Sequence, residues 1–433
     1  MRGTPCTTTS PSESAAQARP VVTPVVGTLA VTRPRFSQDN AMLEQQLRVP
    51  GPTPLPERVV RSASRPMINH RGPEFAALLA DVTSGLQWAL RTQNDVLIYP
   101  ASGSGGLEAA VVNTCSPGEP ALFCTVGAFG DRWADVGEAY GVDVVRLSMP
   151  PGEAVDPEDV ERILAENPSI TTVFITHNET STGVTNDIRA LAAVVKSRGK
   201  LLCVDSVSGA GCLPLETDAW GIDVAITGSQ KGWMAPPGVA MIAVSAAAYA
   251  RAETARCPRF YFDFAREKKY QDKSQTFTTP AVSVLYAIQE GLAIMREEGL
   301  DEVWARHARV ARMVRAGVEA VGLKLLAAEG HRSDTVTAVH SPADSPEALK
   351  ELLATLRTRY GLVIAGGQGD LTGKIFRIGH LGMIDDPDVY SILCTLEQGL
   401  VDAGLRSRVG LAAPAAQAAS RAREAEPEPA QVR

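Results

Sequence analysis

Lys231 lies in the stretch Thr227-Gly228-Ser229-Gln230-Lys231-Gly232-Trp233-Met234-Ala235-Pro236-Pro237-Gly238, an apolar loop bounded by glycines. The residues before it, Asp223-Val224-Ala225-Ile226, read as a short buried strand, so the amine is delivered from a strand end into the interior. Burial lowers an ammonium's pKa and leaves a nucleophilic amine, the state that a Schiff-base lysine requires. A lone lysine in a turn is ordinarily a solvated one. Two further stretches set this one apart.

The first is Leu201-Leu202-Cys203-Val204, an apolar run that ends in Asp205. A carboxylate and a lysine at the carboxyl edge of one sheet stand where open α/β folds bind their ligands. Pyridoxal phosphate chemistry needs such a pair: the lysine holds the aldehyde, and the carboxylate keeps the pyridine nitrogen protonated so that the ring accepts electrons. The second stretch runs from Asp95 through Ser102-Gly103-Ser104-Gly105-Gly106 to Val112 and reads as strand, glycine-rich turn and helix. Such a turn exposes backbone N–H groups at a helix N-terminus, where dipole and unpaired donors favour a phosphate. A nucleotide loop is the competing reading, but no Gly-Lys-Ser or Gly-Lys-Thr follows and the spacing is not G-x-G-x-x-G. Taken alone, this stretch is equally consistent with a plain tight turn.

In this order the three elements resemble fold-type I pyridoxal phosphate enzymes. Over most of its length, residues 42–404, the chain is similar to the class V aminotransferases, specifically the alanine–glyoxylate and serine–glyoxylate (serine–pyruvate) group. The words that carry the resemblance are Pro50-Gly51-Pro52-Thr53-Pro54-Leu55-Pro56, Asn69-His70-Arg71-Gly72-Pro73-Glu74-Phe75, Thr176-His177-Asn178-Glu179-Thr180-Ser181-Thr182-Gly183, Val204-Asp205-Ser206-Val207-Ser208, Gly228-Ser229-Gln230-Lys231 and Phe376-Arg377-Ile378-Gly379-His380-Leu381-Gly382. The resemblance implies pyridoxal 5'-phosphate as cofactor and a ping-pong transfer of an amino group from alanine or serine to glyoxylate or pyruvate. It makes Lys231 and Asp205 catalytic and sets Ser104, Gly105, Gly106 and Gln230 at the phosphate. Phe129 would cover the ring, with Trp133 as the alternative stacker, and Thr180, with Ser181 beside it, would meet the phenolic oxygen. Gly51 and Arg377 fall to the substrate. Thr279 matches a position that reaches into a second subunit's site, which implies a homodimer with shared sites.

Arg377 is informative on its own. It lies on the apolar strand Ile375-Phe376-Arg377-Ile378, where a guanidinium is costly unless paired. A substrate carboxylate held by two parallel hydrogen bonds is one partner, and a structural salt bridge is the other. No second arginine occurs in a matching motif, so aspartate and glutamate are expected to be poor donors.

The elements that must position these residues alternate along the chain. Strand candidates fall at 96–99, 121–126, 142–147, 171–176, 201–204, 224–227 and 239–244, with helical spacing between them. That argues for an α/β fold, a mostly parallel sheet covered by helices, followed by a smaller α+β C-terminal domain. Asp156 before Pro157 and Ser345 before Pro346 mark helix starts. His307 lies on an apolar helical stripe and reads as a core histidine. The expected organisation is a disordered extension at 1–40, a segment at 41–65 that joins the small domain, a cofactor-binding domain at 66–290, a C-terminal domain at 291–408 and a disordered tail at 409–433.

Composition narrows the classes. A net charge of −7 without a basic run argues against broad nucleic-acid binding. Seven cysteines without a C-x-x-C pair fit thiols in a reducing cytoplasm better than disulfides or a metal site. No apolar run reaches the length of a membrane span. Three alternatives share the fold. A lyase or aldolase acting on a β-hydroxy amino acid would use the same anchors. A cysteine desulfurase needs a cysteine on a loop before the late arginine, and residues 259–393 contain none. A non-catalytic relative is opposed by the intact Lys231, Asp205 and Arg377.

Overall fold

The structure, a computed structural model, describes residues 45–422, which form one compact unit. The extension at 1–40 lies outside the described residues. The described chain begins with β1 (Gln46–Leu47), then α1 (Glu57–Ala63) and α2 (Pro73–Ala89). Four strands alternate with three helices: β2 (Asp95–Tyr99), α3 (Gly103–Thr114), β3 (Pro120–Thr125), α4 (Ala128–Ala139), β4 (Asp143–Ser148), α5 (Pro157–Glu166) and β5 (Thr172–Thr176). A small hairpin, β6 (Asn178–Glu179) and β7 (Val184–Thr185), precedes α6 (Ile188–Ser197), β8 (Leu201–Asp205), β9 (Val224–Gly228) and β10 (Ala240–Val244).

The seven expected strands form one sheet in the order β2-β10-β9-β8-β5-β3-β4. All run parallel except β10, which is antiparallel to both β2 and β9. The strands are apolar on both faces because helices cover both. Val96 and Ile98 of β2 face the cluster that contains Phe75, Leu86 and Leu285, whereas Leu97 and Tyr99 face the one that contains Leu107 and Trp133. The covering layer on the second face must come close. A Cβ at Gly106 of α3 would stand 2.5 Å from Ile226 Cγ2, so glycine there lets the helix lie against β9.

After α7 (Ala246–Thr254) and α8 (Phe264–Gln271) come the long helices α9 (Val282–Glu298) and α10 (Leu300–Ala320). The expected domain boundary at 290 falls within α9, and α10 spans two cores: Leu300 and Val303 pack with the sheet cluster, Val310, Met313, Val314 and Val318 with a C-terminal one. That C-terminal cluster is closed by β11 (Val336–His340), α11 (Pro346–Tyr360), β12 (Leu362–Val363), β13 (Ala365–Gly366), β14 (Ile375–Gly379) and α12 (Asp386–Asp402). The sheet order is β11-β14-β13, all antiparallel. β1 pairs in parallel with β12, and Gly379 N donates to Arg48 O at 2.7 Å, so the N-terminal segment joins this region through residues 46–48.

The expectation of disorder from residue 409 is corrected for its first part. Residues Ala412–Arg421 form α13, with Ala412 and Ala416 buried in the C-terminal cluster. Glu397, itself buried, accepts from Gly410 N and Leu411 N at 2.9 and 2.8 Å, and Ser420 Oγ donates to Asp386 at 2.8 Å. Few large apolar residues made this stretch look unstructured, but alanine is a strong helix former whose small side chain packs closely.

Candidate active site

Several parallel strands end on the same edge of the sheet, and their loops enclose a cavity of about 360 Å³ lined by Ser102, Gly103, Ser104, Phe129, Thr180, Asp205, Gln230 and Lys231 among others. Adjacent strands supply the central pair. β8 ends at Asp205, and β9 runs beside it, three residues short of Lys231.

Lys231 is 9 % exposed and its Nζ donates to Pro50 O at 2.5 Å. Burial pushes its pKa down to about 8, a fall that Asp205 opposes and Arg377 reinforces. Gly51 allows the chain to cross over it: a Cβ there would lie 2.7 Å from both Lys231 Cε and Nζ, and its φ of 138° is one that other residues rarely adopt. Asp205 is also buried. Burial pushes its carboxyl up to about 7 against the N–H of Val207, which donates to Oδ1 at 2.9 Å. A protonated ring nitrogen is the counter-charge that would return it to the anion.

At the opposite wall, α3 begins with Ser102 as its N-cap. The first bonds of the helix are donated by Gly105 and Gly106 to Ser102 O, which leaves the N–H groups of Gly103 and Ser104 ahead of the ladder. Ser102, Gly103 and Ser104 line the cavity at this wall. Gly105 and Gly106 follow in the first turn of α3, where a Cβ at Gly105 would meet Phe262 and Ala101 and one at Gly106 would meet Ile226 of β9. Gln230 lines the same end and carries a buried side-chain oxygen without a hydrogen-bond partner.

Burial separates the two candidate stacking aromatics. Trp133 is 1 % exposed, donates to Leu107 O at 2.9 Å and packs edge-on against Phe174, so it belongs to the core. Phe129 lines the cavity. Its backbone is fixed by Glu179, a buried carboxylate that accepts from Phe129 N and Gly130 N, each at 3.1 Å, at the start of α4. Glu179 also accepts from Ser181 N and Oγ, which commits Ser181 and leaves Thr180 facing the cavity. Burial raises the carboxyl pKa of Glu179 against these donors. His177 bonds Ser206 Oγ at 2.9 Å through Nδ1 and is pushed down to about 4 by burial, so it stays neutral behind the loop.

Arg377 is 5 % exposed on β14. Its Nε and one terminal nitrogen donate to Gly366 O at 2.9 and 2.7 Å, and the other terminal nitrogen donates to Thr180 O at 3.0 Å. Burial lowers its pKa. Among the described residues no carboxylate forms a salt bridge with it, so the structural-bridge alternative has no partner here. Thr279 is exposed and does not line the cavity of its own chain. Sequence reasoning missed Arg132, Asn178 and Ser208 in the lining and Glu179 behind Phe129. Arg132 follows a strand-end turn, Gly127-Ala128-Phe129-Gly130, and Glu179 lies in a run of polar residues, but nothing in either stretch gives the direction of the side chain.

The Aminotransferase class-V family matches residues 50–369. The chain belongs to that family. It is 40 % identical to a protein of Synechococcus sp. named soluble hydrogenase, small subunit, across 85 % of this chain and 94 % of the relative. It is 38 % identical to the L-aspartate–glyoxylate aminotransferase of Paracoccus denitrificans (85 % and 94 %) and 36 % identical to the serine–glyoxylate aminotransferase of Methylorubrum extorquens (86 % and 94 %). The ureidoglycine–glyoxylate aminotransferase of Bacillus subtilis superposes with a TM-score of 0.82 at 27 % identity, covering 88 % of this chain and 99 % of that one. As a class V aminotransferase the chain has the fold-type I architecture, and its site fits the family's cofactor: a buried low-pKa amine, a buried carboxylate, an aromatic ring on the cavity wall and backbone N–H groups at the N-terminus of α3.

Proposed function

We infer that this aminotransferase uses pyridoxal 5'-phosphate to move an amino group from a small neutral amino acid, alanine or serine, to a small 2-oxo acid, glyoxylate or pyruvate. The observation that carries the reading is Arg377, a buried guanidinium that donates to carbonyl oxygens and, among the described residues, forms no salt bridge with a carboxylate. When bound, the cofactor supplies an aldehyde and an electron-accepting ring. Lys231 would hold that aldehyde, and its amine, when free, would be the base placed to take the proton from the substrate Cα. Asp205 holds the positive charge at the ring nitrogen. Phe129 covers the ring and keeps water from it. Arg377 fixes the substrate carboxylate, and Gly51 leaves room for the substrate beside the lysine.

Three of the enzymes compared carry glyoxylate in their names, which supports the acceptor. The serine-named relative supports the donor. The Paracoccus enzyme is named for aspartate, so the donor is the open term. Among the described residues the cavity is lined by two cationic side chains, the buried Lys231 amine and the Arg132 guanidinium, and Arg132 stands at the Ser104 end. The assembly belonging to this reading is a homodimer in which Thr279 completes the partner's cradle. The test is a half-reaction screen that follows the loss of bound-cofactor absorbance with alanine, serine, aspartate and glutamate. Alanine and serine should react fastest, and a clear preference for either dicarboxylate would contradict the assignment.

A further inference from the structure

The phosphate end of the cavity poses a charge problem. A phosphate monoester brings a charge of about −1.5 to −2 at neutral pH. Ser102, Gly103, Ser104 and Gln230 offer neutral donors and a helix dipole. On the pyridoxal phosphate reading Lys231 is committed to the aldehyde, and Arg377, its fork held by the Gly366 and Thr180 carbonyls, to the substrate carboxylate. Among the described residues one further cation lines the cavity, Arg132 of α4.

Its surroundings point the same way. Arg132 donates to Ser104 Oγ at 3.3 Å, the hydroxyl at the mouth of the cradle, and its guanidinium carbon lies 5.0 Å from the centroid of the Phe129 ring. No carboxylate forms a salt bridge with it among the described residues. Its helix neighbours Asp131 and Asp135 are turned instead toward Arg146, at 3.4 and 3.2 Å. Asp205 is the carboxylate in the cavity lining, and Arg132 lowers its pKa less than the Val207 N–H does. A cation stacked on one side, hydrogen-bonded to a neutral hydroxyl and unpaired is arranged for an anion that the protein itself does not supply.

We propose that Arg132 is the phosphate counter-ion of this site, reaching over Ser104 to the phosphate of the cofactor and supplying the one full positive charge at that end. The inference rests on the pyridoxal phosphate reading. It also accounts for the second cation without making it a clamp for a distal substrate carboxylate.

The test is binding of pyridoxal phosphate and of pyridoxal, which lacks the phosphate, to the apoprotein of wild type, Arg132→Gln and Arg132→Lys. Affinity is read from Phe and Trp fluorescence quenching and the ligand's absorbance, with thermal melting to confirm that each variant is folded. Arg132→Gln should weaken pyridoxal phosphate by roughly 10- to 100-fold, the range for losing a hydrogen bond to a charged group. Pyridoxal should bind all three proteins alike, and Arg132→Lys should recover part of the loss. Equal weakening of both ligands would show that Arg132 only supports the Phe129 ring, and unchanged binding of both would show no role at all. Either result overturns the proposal and leaves the cofactor reading standing. If wild type bound neither ligand, the cofactor reading itself would fall, and the role of Arg132 with it.

Discussion

The two larger sheets of the protein hold their candidate functional side chains in different ways. The seven-stranded sheet presents Asp205 at the last residue of β8 and Lys231 just beyond the end of β9, so its chemistry sits where strands stop and backbone donors are free. The three-stranded sheet presents Arg377 from the middle of β14, where pairing on both sides fixes the backbone and three hydrogen bonds to carbonyls fix the fork. Strand ends suit groups that must change protonation or partner during a cycle. A mid-strand position suits a group that must only stay in place. The first sheet should therefore govern kcat and the second KM.

The sharpest way to break this division is Asp205→Asn. Shape is kept and charge is lost, so kcat should fall about 10²- to 10³-fold, as for removal of one preorganised electrostatic contact. Steady-state rates on the cofactor-loaded variant check it, and near-normal kcat would take Asp205 out of the mechanism. The same variant has a signature in the apoprotein. The folded-state pKa of Asp205 is raised from 3.8 to about 7, so between those values the folded state holds a proton that the unfolded state has lost. Apoprotein stability from this group is complete below about 3.8 and is lost as pH rises to about 7. Denaturant melts across that window should show a shallower decline with pH in Asp205→Asn than in wild type.

On the second sheet, Arg377→Ala should cost about 2–5 kcal/mol in kcat/KM, the cost of truncating one partner of a buried charge pair, and most of it should appear in KM. An equal fall in kcat with KM unchanged would place Arg377 in the chemical step and erase the contrast between the sheets.

The smallest effect belongs to the frame. Gly106→Ala should leave the site residues intact and destabilise the fold by about 1–3 kcal/mol, because its Cβ would strike Ile226 and force α3 away from β9. Urea unfolding checks it. A neutral result would mean that the helix has slack and that the cradle of Ser102, Gly103 and Ser104 is set by its loop alone.

What could be read in the sequence follows the same division. The seven strands were legible because a strand covered on both faces is an unbroken apolar run, and Asp205 and Lys231 were legible because each terminates or follows such a run. Arg377 stood out as a charge inside one. The close packing of Gly105 and Gly106 was not legible, since a glycine that admits a ligand and a glycine that admits a neighbouring strand look alike until the neighbour is seen. Trp133 and Phe129 are four residues apart on one helix, and only the packing of Trp133 on Phe174 shows which of them faces inward. Arg132 and Glu179 depend on tertiary direction, which local pattern does not carry. The alanine-rich α13 failed the test of apolar bulk because its contacts use small side chains.

The central claim is that Lys231 holds the cofactor's aldehyde on the carboxyl edge of the large sheet. The most direct measurement is borohydride reduction of the cofactor-loaded protein followed by peptide mass mapping. The pyridoxyl mass should appear on the peptide containing Lys231 in near-stoichiometric amount, and a Lys231→Ala protein should carry none. A pyridoxyl label on another lysine of the wild-type protein, with Lys231 unmodified, would contradict the account.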